Sequence, residues 1–219
     1  MQTLRTRWTA DVLALGVEVS REVLLGEGSD LLDRWLEDHR VYHDAVHLAE
    51  VLAALDELHE AGDLPDHEWH LAALVAWFHD AVYDAGAEPG ANEEASAVLA
   101  QERLPRLGVE ADDVSDIARL VRESATHEMS SDDPLTRAFH DADLWILAAP
   151  TERFDGYCHQ VRLEYRQVPA TDFARGRIAV LTPFVQRERL YLTDHAHVHW
   201  TDRARLNLAR EIERLAPPS

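Results

Sequence analysis

A chain of 219 residues, 46% hydrophobic and 28% charged, carries enough apolar material for one substantial core and has the length of one domain. Its formal net charge of −20, from 41 acidic and 21 basic residues, argues against sequence-independent nucleic-acid binding and against docking on anionic membranes. No apolar run reaches the roughly 18 residues of a membrane span, the first residues lack the apolar stretch of a signal peptide, and the single cysteine, Cys158, excludes an intramolecular disulfide and a cysteine-based zinc site. The expectation is a soluble, cytoplasmic protein.

The pattern reads helical nearly throughout, without a period-2 strand. Residues 8–25 place Val12, Leu15, Val19 and Val23 at helical spacing, with Gly26 and Gly28 as the expected stop. A short helix follows, with Ser29 as N-cap, through Leu31, Leu32, Trp35 and Leu36. An amphipathic helix over 41–61 ends at Gly62, and a central apolar helix spans 65–83 ahead of a loop punctuated by Gly86, Pro89 and Gly90. Asn92 opens the next helix, which Pro105 kinks or ends. A helix over 112–126, a polar loop, and a helix entered through Pro134 and running to Ile146 come next. Further helices cover 151–166, 173–184 and 201–215, the last capped by Thr201. With no internal repeat, low-complexity block or long linker, the expected architecture is one all-α domain over 1–219.

Trp77-Phe78-His79-Asp80-Ala81-Val82-Tyr83-Asp84 sits where the central apolar helix runs out into loop. An adjacent His and Asp there are costly to bury unless a cation compensates them; in isolation the ordinary alternative is a helix cap beside a surface residue. His43 and His47 lie four apart in the 41–61 helix and so project from one side of it. They are a pair of partly exposed histidines, two metal ligands, or one ligand and one proton donor. Asp141 and Asp143 stand just before the apolar Leu144-Trp145-Ile146-Leu147 run, on a solvated helix face or at the edge of buried structure. The alternation His195-Ala196-His197-Val198-His199 would not face one way on a helix and reads as an exposed loop, and Cys158 reads as a small core or boundary residue.

In chain order, His47, His79-Asp80 and Asp143 resemble the HD-domain superfamily of metal-dependent phosphohydrolases. Tyr42-His43-x-x-x-His47-x-x-Glu50-Val51 looks like the corresponding helix of cyclic-nucleotide phosphodiesterases, which belong to a related fold. The 77–84 stretch, Asn92-Glu93-Glu94-x-Ser96-Ala97, Asp143-Leu144-x-Ile146-Leu147, Glu164-Tyr165-x-x-Val168-Pro169 and Arg189-Leu190-Tyr191 are similar to a bacterial subgroup of predicted metal-dependent HD phosphohydrolases. The resemblance covers about 40–215. It implies an HD-type helical bundle with a metal site in its core, a motif-bearing part over about 40–147 and a helical extension over about 150–215.

The resemblance implies His47, His79, Asp80 and Asp143 as ligands of one divalent ion, and this N/O donor set suits Mn²⁺, Fe²⁺, Zn²⁺ or Mg²⁺. It also implies His43 as proton donor to the leaving oxygen and Asp80 as a residue that orients the attacking water. Related alarmone hydrolases carry a Glu-Asp pair after their His-Asp. Asp84 matches the second member while Tyr83 replaces the first, so Asp84 enters as a candidate water activator and an alarmone substrate is disfavoured. Glu93, Glu94, His127 and His140 are candidates for contacts around the metal or to the substrate, and arginines such as Arg162, Arg166 and Arg177 are the cations available to a phosphate. The implied activity is hydrolysis of a phosphate ester or anhydride of a small phosphorylated metabolite, a nucleotide among the classes expected. HD-fold di-iron oxygenases need two more histidines between the His-Asp pair and the last Asp; only His127 and His140 lie there, and His140 is unusually close to Asp143. A di-iron oxygenase and a non-catalytic metal- or ligand-binding protein are the alternatives to the one-metal hydrolase.

Overall fold

Apolar residues three and four apart give each helix a stripe that must be covered, and in this chain other helices cover it. The computed structural model describes residues 2–217, and every regular element among them is helical. In order these are α1 (Gln2–Ala14), α2 (Arg21–Trp35), α3 (Ala45–Glu60), α4 (Asp66–Phe78), α5 (Ala91–Leu107), α6 (Ala111–Glu123) and α7 (Pro134–Asp143). A 3₁₀ segment (Leu144–Ala148) leads into α8 (Thr151–Glu164), α9 (Ala170–Gln186), α10 (Asp194–His199) and α11 (Thr201–Leu215). No helix among the described residues is long and apolar enough to cross a membrane.

The centre is α4. Every residue from Leu71 to Phe78 is buried, so this helix is apolar on all sides, and α1, α3, α5, α6 and α7 pack around it. The 3₁₀ segment, α8, α9 and α11 form a second group, joined to the first by contacts of the 3₁₀ segment with α3 and α7. The C-terminal end of α4 therefore opens inside the molecule, between α3 and α7.

Several boundaries differ from the periodicity. The apolar spacing over 8–25 runs across a break, because the chain turns at Gly16 (φ +76°) and α2 begins after Ser20, whose Oγ accepts from the Val23 amide at 3.3 Å. Gly26 and Gly28 lie inside α2 and stop nothing, and Ser29 is mid-helix. Gly28 is there for space: a Cβ would lie 2.4 Å from Trp8 Cδ1, where α1 crosses α2. Asp44 caps α3 by accepting from the Val46 and His47 amides, so His43 sits in the turn ahead of α3 and not inside the expected 41–61 helix with His47. The central helix ends at Phe78, not at residue 83. Residues 194–199 form a short helix capped by Thr193, where an exposed loop was expected, and Thr201 is buried without capping α11. Pro134 does enter α7 in its first turn, behind the Asp133 cap. Pro105 sits in the last turn of α5, which Gly108 closes at φ +87°.

Gly28→Ala is expected to drive a methyl into the buried Trp8 indole and lower stability by about 1–3 kcal/mol. Urea unfolding checks this: the midpoint falls while the helical circular dichroism of the folded protein is kept.

Candidate metal centre

His79 caps the C-terminal end of α4, its amide bonded to Val75 O, so its ring direction is set by the helix. Its Nδ1–H donates to the Ala76 carbonyl at 2.8 Å, which leaves Nε2 as a lone pair aimed inward. Asp80 follows immediately. His47 projects from the first turn of α3, with Nδ1 3.1 Å from the Tyr42 hydroxyl, and Asp143 ends α7. These four side chains converge. His47 Nε2 lies 3.2 Å from His79 Nε2 and 3.4 Å from Asp143 Oδ1, and His79 Nε2 lies 3.2 Å from Asp80 Oδ2 and 3.4 Å from Asp143 Oδ1.

Two carboxylates and two imidazole nitrogens face one another with little water: His47, His79 and Asp80 are buried and the Asp143 side chain is 10% exposed. Burial opposes charge on His79, yet Asp80 and Asp143 raise its pKa well above the ordinary value; despite their own burial, both carboxyls are held below theirs by the histidines. The cluster demands positive charge at its centre, and a proton on one nitrogen answers only part of that demand. Its geometry fits a small divalent cation, since one donor atom from each of His47, His79 and Asp80 falls within 4.8 Å of the others. No other group of three such side chains comes together among the described residues.

The surroundings hold the cluster in place. The Trp35 ring packs over His79 and His47 and donates from Nε1 to the Trp77 carbonyl at 3.0 Å. Buried Arg40 donates to Asp80 O at 2.7 Å, His43 O at 3.0 Å and Ala81 O at 3.3 Å, joining the turn before α3 to the turn after α4.

Glu164, the last residue of α8, does more than its place in a sequence stretch suggested. Its Oε1 accepts from the Val41, Tyr42 and His43 amides at 2.8, 2.8 and 3.0 Å. Its Oε2 accepts from His43 Nδ1 at 2.7 Å and from the Tyr83 hydroxyl at 2.9 Å. Burial would raise the Glu164 pKa, but these bonds and His43 bring it down to about 2. For His43, burial works against protonation, and Glu164 and Asp80 overcome it to raise its pKa above the ordinary value. His43 is thus backed by a carboxylate and lines the same cavity as His47, His79, Asp80 and Asp143.

The remaining candidates separate. His127, in left-handed backbone (φ +52°), brings Nδ1 to 3.9 Å from Asp143 Oδ2; that nitrogen has no hydrogen-bond partner, and burial lowers the ring pKa to about 4. Glu93 also lines the cavity, and burial raises its pKa. Glu94 is exposed and paired with Arg122 at 2.6 Å. His140 does not reach the cluster: Nδ1–H donates to Asp141 at 2.8 Å and Nε2 accepts from Arg187 at 3.2 Å. The structure does not bring Asp84 in either. It is exposed, outside the cavity, and its Oδ1 accepts from the Gly86 amide at 2.8 Å, which shapes the loop after α4. Asp141 accepts from Leu192 and Thr193 and pins the segment before α10.

Among the arginines, Arg177 lines the cavity and Arg162 is turned to the Tyr165 and Val168 carbonyls. Arg166 does not line the cavity; Arg187, missed in the sequence, does. His195 pairs with Glu57 at 2.7 Å. Cys158 is buried, which pushes its thiol up to about 12 and keeps it neutral.

Comparison with known protein families and with curated proteins finds no match to this chain.

Because the Glu164 pKa is depressed from 4.5 to about 2, its contribution to stability is complete above pH 4.5 and is lost as pH falls towards 2. Glu164→Gln is expected to flatten that part of the acid-unfolding curve and to lower the His43 pKa in an NMR titration. An unmoved His43 contradicts the pairing.

Proposed function

We propose that this protein is a mononuclear metal-dependent phosphohydrolase of the HD type, cleaving a phosphate ester or anhydride of a small metabolite. The observation that carries the reading is the convergence of His47, His79, Asp80 and Asp143, 96 residues apart at the extremes (143 − 47), in the wall of a cavity of about 710 Å³ that also presents His43. A bound divalent cation would supply Lewis acidity towards a phosphoryl oxygen and acidify a coordinated water.

The chain's own residues divide the remaining work. The His47 and His79 imidazoles and the Asp80 and Asp143 carboxylates would hold the ion. His43, oriented by Glu164 and with its pKa raised by that pairing against the effect of burial, would deliver a proton to the leaving oxygen. His127, neutral because it is buried, offers a hydrogen-bonding ring nitrogen beside Asp143 without adding charge. The Trp35 side of the cluster is closed by packed rings and excludes water there.

Engagement of both His140 nitrogens by Asp141 and Arg187 favours one ion over the two of a di-iron oxygenase, for which His140 would have to serve as a ligand. The His43–Glu164 pair favours an enzyme over a protein that only holds metal, because metal retention alone needs no carboxylate-backed proton donor.

Metal-loaded protein is expected to hold one divalent ion per chain and to release phosphate from members of a phosphate-ester panel. Asp80→Ala is expected to lose both the ion and the turnover. His43→Ala is expected to keep the ion while kcat falls by about 10²–10⁴. A metal-replete, fully active Asp80→Ala protein contradicts the proposal.

A further inference from the structure

The cavity does not end at the metal ligands. It continues between the 3₁₀ segment, α8 and α9, where Leu147, Val161, Val168, Phe173, Leu181 and Phe184 line it. A volume of about 710 Å³ is that of a site for a whole organic molecule, larger than a phosphate needs.

Two arginines line this cavity, and they are differently committed. Arg177 is bonded to the Tyr157 hydroxyl. Arg187 is fixed by neutral acceptors only: it donates to His127 O at 3.1 Å and to His140 Nε2 at 3.2 Å, and its guanidinium lies 4.7 Å from the centre of the Phe184 ring. Among the described residues it has no carboxylate ion-pair partner, although elsewhere Arg7, Arg103, Arg119, Arg122 and Arg153 are paired with acidic groups. Asp141 lies behind His140, fixing the tautomer that leaves Nε2 as the acceptor for Arg187. One residue joins this arrangement to the metal centre, since the His127 carbonyl takes Arg187 while its ring faces Asp143. An arginine that lines a cavity, is held by neutral groups and feels a carboxylate, Glu128, only beyond ion-pair distance is pre-placed for an anion.

Charge and polarity limit what that anion is attached to. Glu93, Glu128 and Asp172 line the same cavity and repel additional phosphates. Of the polar side chains that line the extension, Arg177 is bonded to the Tyr157 hydroxyl and Asp172 is paired with Arg175, so a sugar and base buried there would compete for committed groups, each one left unpaired costing about 1–3 kcal/mol. We propose that Arg187 binds the phosphoryl group beside the metal ligands and that the α8–α9 extension takes an apolar or aromatic group. The substrate class is then phosphate monoesters of apolar alcohols or phenols rather than nucleotides. This rests on the phosphohydrolase reading.

The test compares 1-naphthyl phosphate, methyl phosphate, adenosine 5′-monophosphate and adenosine 5′-triphosphate on metal-loaded wild-type protein. The KM for 1-naphthyl phosphate is expected to be at least about tenfold below that for methyl phosphate, with both nucleotides poorer in kcat/KM. By calorimetry, Arg187→Gln is expected to weaken 1-naphthyl phosphate binding about tenfold or more while 1-naphthol binding is kept, which separates loss of the anion contact from misfolding. Nucleotides turned over better than 1-naphthyl phosphate overturn this inference and leave the phosphohydrolase reading standing, as does an Arg187→Gln protein that binds 1-naphthyl phosphate like wild type. Failure of metal-loaded protein to bind or cleave any phosphate ester overturns both.

Discussion

Two buried carboxylates facing two imidazole nitrogens at the end of an apolar helix are the constraint on which the rest of this structure depends. Asp80 and Asp143 are too enclosed to be neutralised by solvent, and His79 has spent its Nδ1 proton on Ala76 O. A chain could avoid that arrangement by moving any one of the four groups to the surface. This one surrounds them with packing: α4 is apolar on every side, Trp35 covers the histidines, and Arg40 ties the flanking turns by their carbonyls. The cost of gathering like charges is borne by the fold, and a cation held between them would offset it.

The same logic ties the C-terminal helices to the rest of the chain. Glu164 on α8 reaches back more than 120 residues to accept three consecutive amides and the His43 ring. Asp141 on α7 reaches forward to accept two amides and a hydroxyl near α10. Each is a buried carboxylate whose charge is spread over several donors; Glu164 joins α8, which lines the cavity, to the turn before α3, and Asp141 joins α7 to the segment before α10. His43 and Arg187 are positioned from behind by these two acids, His43 directly and Arg187 through His140.

How much of this was legible in the sequence depends on whether a residue acts through its neighbours in the chain or through distant ones. The all-helical class and the central helix follow from local periodicity, and the structure agrees. His79, Asp80 and Asp143 lay against apolar runs, but it was the family resemblance that joined them with His47 as one set; the structure brings the four side chains together. Glu164 and Arg187 were not legible as site residues, because their partners lie more than 40 residues away and no local pattern announces them. Asp84 misled for the opposite reason: its spacing from Asp80 is suggestive, but a bond to the Gly86 amide satisfies its carboxylate within the loop. Gly28 misled likewise, since a glycine that ends a helix and one that admits an indole look alike until α1 and α2 are seen to cross.

The most direct test of the central claim is the X-ray absorption spectrum of the protein loaded with one equivalent of divalent metal. A coordination shell of nitrogen and oxygen with the outer-shell scattering of two imidazoles and no sulfur is the predicted result. A metal that shows no imidazole scattering, or that does not remain bound, would contradict the assignment of His47 and His79 as ligands and with it the function built on them.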